Sequence, residues 1–518
     1  MTLLRAICSV GAAAMLGLLT LVWTAPEYLS SRGYPLDDAW IYAVYGRSLA
    51  REGTFAYNPG IPATGATAPI WPFFIAGSHL IWSRPAAVVA SVKLAGWMLH
   101  AVSALLILFA FRRSSRIEIP VVVGSLLVAL HPDLISGSVS GMEVSLATTF
   151  AVALLWTART GALVPYLIAS FCAPLARPEL GLVSLVLPVA LYFRSNRRCM
   201  MGLVGAAALG TGLSFSAVAI RNLTVSGRPL VATFYAKAGS GDVSIPVAQL
   251  MGFNGLLGNL PIVDSSVLMC VALVAAIGFL VQGSEGHSER LAAAAFVTAS
   301  VFCAVSFLLV RPVDPGAFYH QRYVLPVLPL FVVSAPVLLN GALKRLLPDR
   351  THLVWISGAI MLLMVVSLVT DGPKRYTRLS NDAKNIDDIQ VELGKSLAAM
   401  PADQSVWVMD AGAVRYFGSA FVVDLLGLNT DAMLGPRAQA FLDQHPPRFV
   451  EVIPGWSGLD DESRVRLRGR LFAPSTRYTV SGFSDLPMQR HLLMHCNDPS
   501  IRGTVFVMKS GYQFRCAD

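Results

Sequence analysis

Asp37 and Asp38 stand side by side ahead of Ala39, Trp40, Ile41 and Tyr42, and of all the residues in the chain they are best suited to move a proton. Two neighbouring carboxylates cannot both ionise cheaply where water is scarce, so one of a partly buried pair is tuned toward proton acceptance. The plainer reading is a helix cap, since Asp before such a run is a good N-terminal residue. One aspartate capping while its neighbour does chemistry satisfies both. Other ionisable groups recur in small clusters: His131 with Asp133, Glu143 after Gly141 and Met142, Arg177 and Glu179 around Pro178, Lys237 after Phe234 and Tyr235, and His320 with Arg322. Each of these also reads as a charged residue snorkelling at a helix end or as a structural ion pair.

What holds these clusters apart is apolar. Of 518 residues, 54% are hydrophobic and 14% are charged, against about 25% charged in a soluble domain. Apolar runs with short polar breaks extend to about residue 370, and from Asp371 onward the charge density is ordinary. A spanning helix needs about 20 apolar residues. Candidate spans lie at 3–23, 88–111, 119–130, 142–156, 162–175, 180–193, 200–219, 264–280, 291–310, 323–340 and 353–370. The sequence therefore predicts a mainly α, polytopic membrane helix bundle of about 11 helices, residues 1–370, followed by a soluble α/β domain, residues 371–518. The first run exceeds the 7 to 15 residues of a signal-peptide core and reads as a retained helix.

The net charge of +9 sits mainly in breaks between apolar runs. It orients a membrane protein rather than binding nucleic acid. With the N-terminus and Arg5 in the cytoplasm, the compact basic breaks fall on that side: Arg112, Arg113 and Arg116; Arg159; Arg194, Arg197 and Arg198; Arg290; Lys344, Arg345 and Arg350. The scheme requires 68–82, which holds Pro69 and Pro72, to lie along the outer interface without crossing. Every mixed ionisable cluster, and the tail, then gathers on the non-cytoplasmic side. Such groups near helix ends are functional candidates.

The motifs in these outer loops resemble those of a family of GT-C glycosyltransferases that includes the cell-wall arabinofuranosyltransferases. The first loop reads DDAWIYAVYGRSLAREGTFAYNPG over 37–60 and ends in TAPIW at 67–71. SGMEVSL (140–146), LARPEL (175–180), TFYAK (233–237), RYVLPVLP (322–329) and DAGAVRYFGSAFVVDLLGLNT (410–430) follow in the family's order. Ile61 to Gly65 lack the acidic residue of many relatives, and Ala68 and Ala232 replace asparagines; these departures bear on the sugar, not on the reaction class.

The resemblance implies transfer of a sugar from a polyprenyl-phosphate carrier to a glycan, lipid or protein acceptor at the bacterial plasma membrane, with the tail outside. It places the base in the Asp37/Asp38 pair without choosing between them; Asp38 is taken here as the first candidate. The leaving phosphate needs fixed cations, for which Arg177, Lys237 and Arg322 are the candidates, with His320 weaker; Arg offers a planar fork and Lys a compact charge. Glu143, Glu179 and Tyr235 would orient those cations or bind sugar hydroxyls. Direct attack at the anomeric carbon would invert it. No cofactor is expected: no GxxxxGK[ST] loop occurs, and two carboxylates alone make a weak case for a metal.

In the tail, 381–400 has helical spacing, 405–409 and 421–425 read as strands, and Asp410 and Asp424 sit at strand ends, where α/β sheets place ligand contacts and where turns also favour Asp. Acceptor recognition or scaffolding is the expected role there. Cys496 and Cys516 are the two cysteines of the tail and would pair in an oxidising compartment. A flippase for lipid-linked sugars and a membrane scaffold with an exported binding domain are the competing readings.

Overall fold

The computed structural model describes residues 1–112, 117–193, 196–238, 276, 286–310, 322–346, 350–436, 438–453, 470–472, 491–496, 505–507 and 513–515. The span expected at 264–280, His320, Cys516, Arg113, Arg116 and Arg194 lie outside them. Two compact units are formed: Met1–Pro26, Lys93–Ala217 and Gly241–Thr377; and Glu27–Val92, Val218–Ser240 and Arg378–Asp518.

Among the described residues a helix lies at every other expected span. They are α1 (Leu3–Thr24), α4 (Pro85–Phe111), α5 (Ile119–Leu130), α7 (Val144–Thr160), α8 (Leu163–Ala176), α9 (Leu180–Tyr192), α10 (Arg197–Ser226), α12 (His287–Val310), α13 (Leu328–Leu346) and α14 (Arg350–Ile386). Between them come α2 (Asp37–Glu52), α3 (Trp71–Ile81), α6 (Pro132–Ser138) and α11 (Ala232–Ala238). In the first unit α5 packs on α1 and α13, α12 on α13 and α9, and α7 on α8 and α9.

Length separates these helices. Five among the described residues are long and apolar enough to cross a membrane, or six if α5 and α6 count as one span bent by 51°. The bend sits at Pro132: a proline has no N–H to give the preceding turn, and it drives the residue before it out of the α region. His131 is accordingly extended, and its ring Nδ1 accepts the Asp133 N–H at 3.2 Å. Helices α7, α8 and α9 have 17, 14 and 13 residues, about 20–26 Å of rise against an apolar thickness of about 30 Å. Gly161, at φ 68°, closes α7 in the left-handed conformation that glycine adopts without steric cost. Helix α3 has 11 residues, short for a span.

The second unit contains a five-stranded sheet of order β4-β3-β5-β7-β6, with β3 (Ser405–Val408), β4 (Phe421–Asp424), β5 (Pro447–Val452), β6 (Arg470–Phe472) and β7 (His491–His495). Strands β4 and β5 flank β3 in parallel; β7 and β6 continue antiparallel. The short helix α16 (Ala413–Phe417) makes the crossover from β3 to β4, after α15 (Glu392–Ser396) and before α17 (Ala438–Gln444). Strands buried on both faces read as continuous apolar runs, as SVWV and FVVD do. Trp407, Met409, Val423, Leu425, Met433, Val450 and Met494 form the core beside the sheet. A two-stranded ribbon, β1 (Ala56–Asn58) with β2 (Ile61–Pro62), completes the first loop. Cys496 is disulfide-bonded.

Candidate active site

The chain leaves β3 for β4 on one side and returns to β5 on the other, so the carboxyl end of β3 is a topological switch point, where open α/β sheets leave a crevice. The turn there carries Met409, Asp410, Ala411 and Gly412. Glu451 of β5, fully buried, accepts the Met409 N–H at 2.6 Å and the Asp410 N–H at 3.3 Å through Oε2. Into this crevice comes Asp37. Its Oδ2 accepts the Gly412 N–H at 2.5 Å and its Oδ1 the Ala413 N–H at 2.7 Å.

Asp37 therefore does not cap its own helix. The residue before α2 is Leu36, which supplies no side-chain cap, and both aspartates lie in the first turn. Negative charge is favourable at that end of a helix dipole. Their surroundings differ: Asp37 is 6% exposed, whereas Asp38 is half-buried. Burial raises the Asp37 carboxyl well above the ordinary range, the nearby Asp410 charge adds to the rise, and the two amides oppose it. Asp424, at the end of β4, is likewise pushed up by burial, to about 6, against bonds from Asn429 and Leu426.

Gly412 is dictated by this approach. Its φ of −81° suits any residue, but a Cβ there would collide with the main-chain oxygen and the carboxylate of Asp37. Gly412→Ala should cost about 2–4 kcal/mol, from steric displacement plus two weakened charge-assisted bonds. A lowered melting temperature of the full-length protein in detergent would show it; an unchanged one would contradict the contact.

The rest of the first loop docks on the same part of the unit. Tyr57 donates to the Ala411 oxygen at 2.5 Å. The Asn58 amide exchanges two bonds with the Val422 backbone, at 2.8 and 3.0 Å, extending the sheet like a strand residue. Arg47 donates to the Tyr416 oxygen at 2.5 Å, and Trp40 packs among Tyr34, Tyr416 and Phe417. Further along, Tyr45 donates to Asn429 at 3.0 Å and Thr64 to Asp431 at 2.7 Å. Helix α11 is tied to this loop through Ala232 N–H to the Thr64 oxygen at 3.2 Å and the Thr233 hydroxyl to the Gly65 oxygen at 3.0 Å. Tyr235 is half-buried on α11, with the Arg228 guanidinium 5.4 Å from its ring centre. For Lys237 the structure describes only its place on that helix.

In the first unit a second cluster forms where α8 ends. Arg177, the extended residue after α8, is 5% exposed. Its NH1 meets Glu143 at 2.8 Å, its Nε meets Glu179 at 3.4 Å, and its guanidinium lies 4.3 Å from the Tyr323 ring centre. Arg322 approaches the same ring at 5.7 Å. Thus Glu143, Arg177, Glu179 and Arg322, from three separate motifs, converge. The second oxygen of Glu143 is buried with no hydrogen-bond partner among the described residues. Among the described residues no group of three or more His, Cys, Asp or Glu is arranged to hold a metal.

Sequence reasoning did not reach several of these groups. Glu451 gave no signal, because its partners are backbone amides far off in the chain, and Asn58 stood inside the first-loop motif without a role. Tyr323 stood inside a quoted motif without a role. Asp410 was visible at a strand end, where a turn was the better explanation.

A family described as a domain of unknown function (DUF8728) matches residues 384–489, within the tail. No curated protein matches the sequence. Among solved structures, the oligosaccharyltransferase AglB from Archaeoglobus fulgidus, in complex with an inhibitory peptide and a dolichol-phosphate, is similar with a TM-score of 0.50 and 12% identity over 92% of this chain and 75% of that one. ArnT from Cupriavidus metallidurans, bound to undecaprenyl phosphate, gives a TM-score of 0.46 and 13% identity over 93% and 97%. The likeness to AglB shows the fold: a GT-C arrangement, mainly α, with a C-terminal α/β region.

Proposed function

We propose that the chain is an inverting membrane glycosyltransferase that carries a sugar from a polyprenyl-phosphate carrier to an envelope glycan, lipid or protein on the non-cytoplasmic side. The observation that carries this reading is the buried cluster at the end of α8, with its unpartnered Glu143 oxygen. Buried acceptors are normally satisfied. An orphan acceptor beside cations suits a ligand that brings hydroxyl donors and negative charge together, as a sugar phosphate does. The AglB structure holds a dolichol-phosphate and a peptide, which supports a lipid-phosphate donor and a separate acceptor.

In this mechanism an acceptor hydroxyl attacks the anomeric carbon and Asp38 takes its proton. The new C–O bond forms as the bond to the carrier phosphate breaks, so the configuration inverts. The electron pair leaves with the phosphate, whose charge Arg177, Arg322 and Lys237 offset, with His320 as a further candidate. Glu143 and Glu179 hold the Arg177 fork and accept sugar hydroxyls, and Tyr235 borders the donor. Asp37, with both oxygens on backbone amides, serves as an anchor. The membrane embeds residues 1–370 and the tail, 371–518, lies outside; a disulfide at Cys496 fits an oxidising compartment. Arabinofuranose is the sugar to try first.

Deletion of the gene tests this. Mass spectrometry should find a polyprenyl-phosphate sugar accumulating and one sugar lost from the envelope glycans, both restored by the intact gene and neither by Asp38→Asn. Unchanged pools would overturn the reading.

A further inference from the structure

The cluster at the end of α8 contains one ring to which the mechanism gives no task. Tyr323 gathers two guanidiniums: that of Arg177 lies 4.3 Å from its ring centre and that of Arg322 5.7 Å. The face of an aromatic ring is negative and attracts cations within about 6 Å of its centre. Glu143 and Glu179 meet Arg177 differently, through NH1 at 2.8 Å and through Nε and NH2 at 3.4 Å. Carboxylates engage a guanidinium along its N–H fork, whereas a ring can also take its flat surface. The carboxylates and the ring therefore add separate constraints on one cation.

The ring stands on a firm base. After Tyr323 the chain runs through Val324, Leu325, Pro326, Val327 and Leu328, all of them buried. Leu325 packs against Gly137 of α6, where a Cβ would meet its Cδ1 at 2.8 Å and Val144 at 3.1 Å. Val144 opens α7 and directly follows Glu143. One close contact thus fixes the backbones that carry both the ring and the carboxylate. Tyrosine has only two side-chain torsions, so holding its ring costs little entropy. Half-buried Arg322 has a longer side chain and more freedom to lose.

Two cations assembled for one leaving phosphate repel each other until it arrives. A negative face that both share offsets the repulsion and keeps them in place for the ligand. We propose that Tyr323 is a positioning residue for sugar transfer: its ring holds the Arg177 and Arg322 guanidiniums together, so that both meet the leaving phosphate. This rests on the reading of those arginines as the leaving-group cations. The face of the ring carries the effect, and the hydroxyl does not.

The test uses full-length protein in detergent. The donor is the polyprenyl-phosphate sugar extracted from the deletion strain, membranes of that strain are the acceptor, and release of polyprenyl phosphate is followed. Tyr323→Leu removes the ring and should lower kcat about five- to thirtyfold, the effect of losing its attraction for two cations. Tyr323→Phe keeps the face without the hydroxyl and should restore the rate to within about twofold of wild type. Pentafluorophenylalanine, placed at position 323 by nonsense suppression, keeps the shape of phenylalanine while its fluorines drain the negative face. It should melt like Tyr323→Phe yet turn over as slowly as Tyr323→Leu. Under a merely structural role, activity would follow shape instead. An unimpaired Tyr323→Leu, a fluorinated variant as active as Tyr323→Phe, or a Tyr323→Phe as slow as Tyr323→Leu would overturn the proposal. If Tyr323→Leu fails to fold, the two phenylalanine rings decide between them. The combined Arg177→Met and Glu143→Gln variant in the same assay separates the two ideas. Full activity there ends the cation reading and this proposal with it. An inactive one, beside a fluorinated variant that matches Tyr323→Phe, ends only the role of Tyr323.

Discussion

Asp38→Asn is expected to lower kcat by about 10²–10⁴-fold, the usual contribution of a positioned proton acceptor, while the protein folds and melts as before. The half-exposed setting of Asp38 makes the exchange of one oxygen for nitrogen tolerable. Asp37→Asn should behave differently. There, an amide N–H₂ would face the Gly412 or Ala413 N–H, donor against donor, in a buried site, and the melting temperature should drop along with the rate. Full activity in Asp38→Asn, measured on the donor extracted from the deletion strain, would remove the base from the mechanism. The contrast between the two neighbours is the sharper observation, because a scaffold would be indifferent to the first substitution.

The second large effect concerns Arg177→Met. Removing the guanidinium leaves Glu143, 3% exposed, as an uncompensated buried charge, a loss of about 3–5 kcal/mol. Losing a fixed cation from the leaving group costs a further factor of about 10²–10³ in kcat. The two losses can be separated. Combining Arg177→Met with Glu143→Gln takes away the stranded charge, so the double variant should recover most of its melting temperature and none of its activity. Recovery of both would reduce the pair to a structural ion bridge.

Much of this was legible in the sequence, for identifiable reasons. Helix positions followed from apolar runs, and the ends matched within a few residues wherever proline or glycine set them, as at Pro132 and Gly161. Helices α8 and α9 fell within a residue of the runs 162–175 and 180–193, despite internal Pro174 and Pro188, and are as short as those runs. Within the tail, SVWV and FVVD were plain as strands, and Asp410 and Asp424 fell at their ends as expected. Glu143, Arg177, Glu179 and Arg322 were each named from separate motifs, and the structure brings them together. The partition of labour between Asp37 and Asp38 was not legible. It depends on Gly412 and Ala413, which lie 375 and 376 residues away in the chain, and no local pattern reports a bond of that span.

That same span sets a timetable for the newborn chain. The first loop emerges early, yet the amides that receive its aspartate are made 375 and 376 residues later. At about 5–20 residues per second, Asp37 waits roughly 20–75 s for its partner. Loop-closure entropy grows only slowly with length, so the finished contact is little weakened by the distance. The delay itself is the burden: Asp37, Tyr57 and Asn58 must stay solvated and unentangled until the turn after β3, and then strand β4, arrive, so the first loop closes long after it is made.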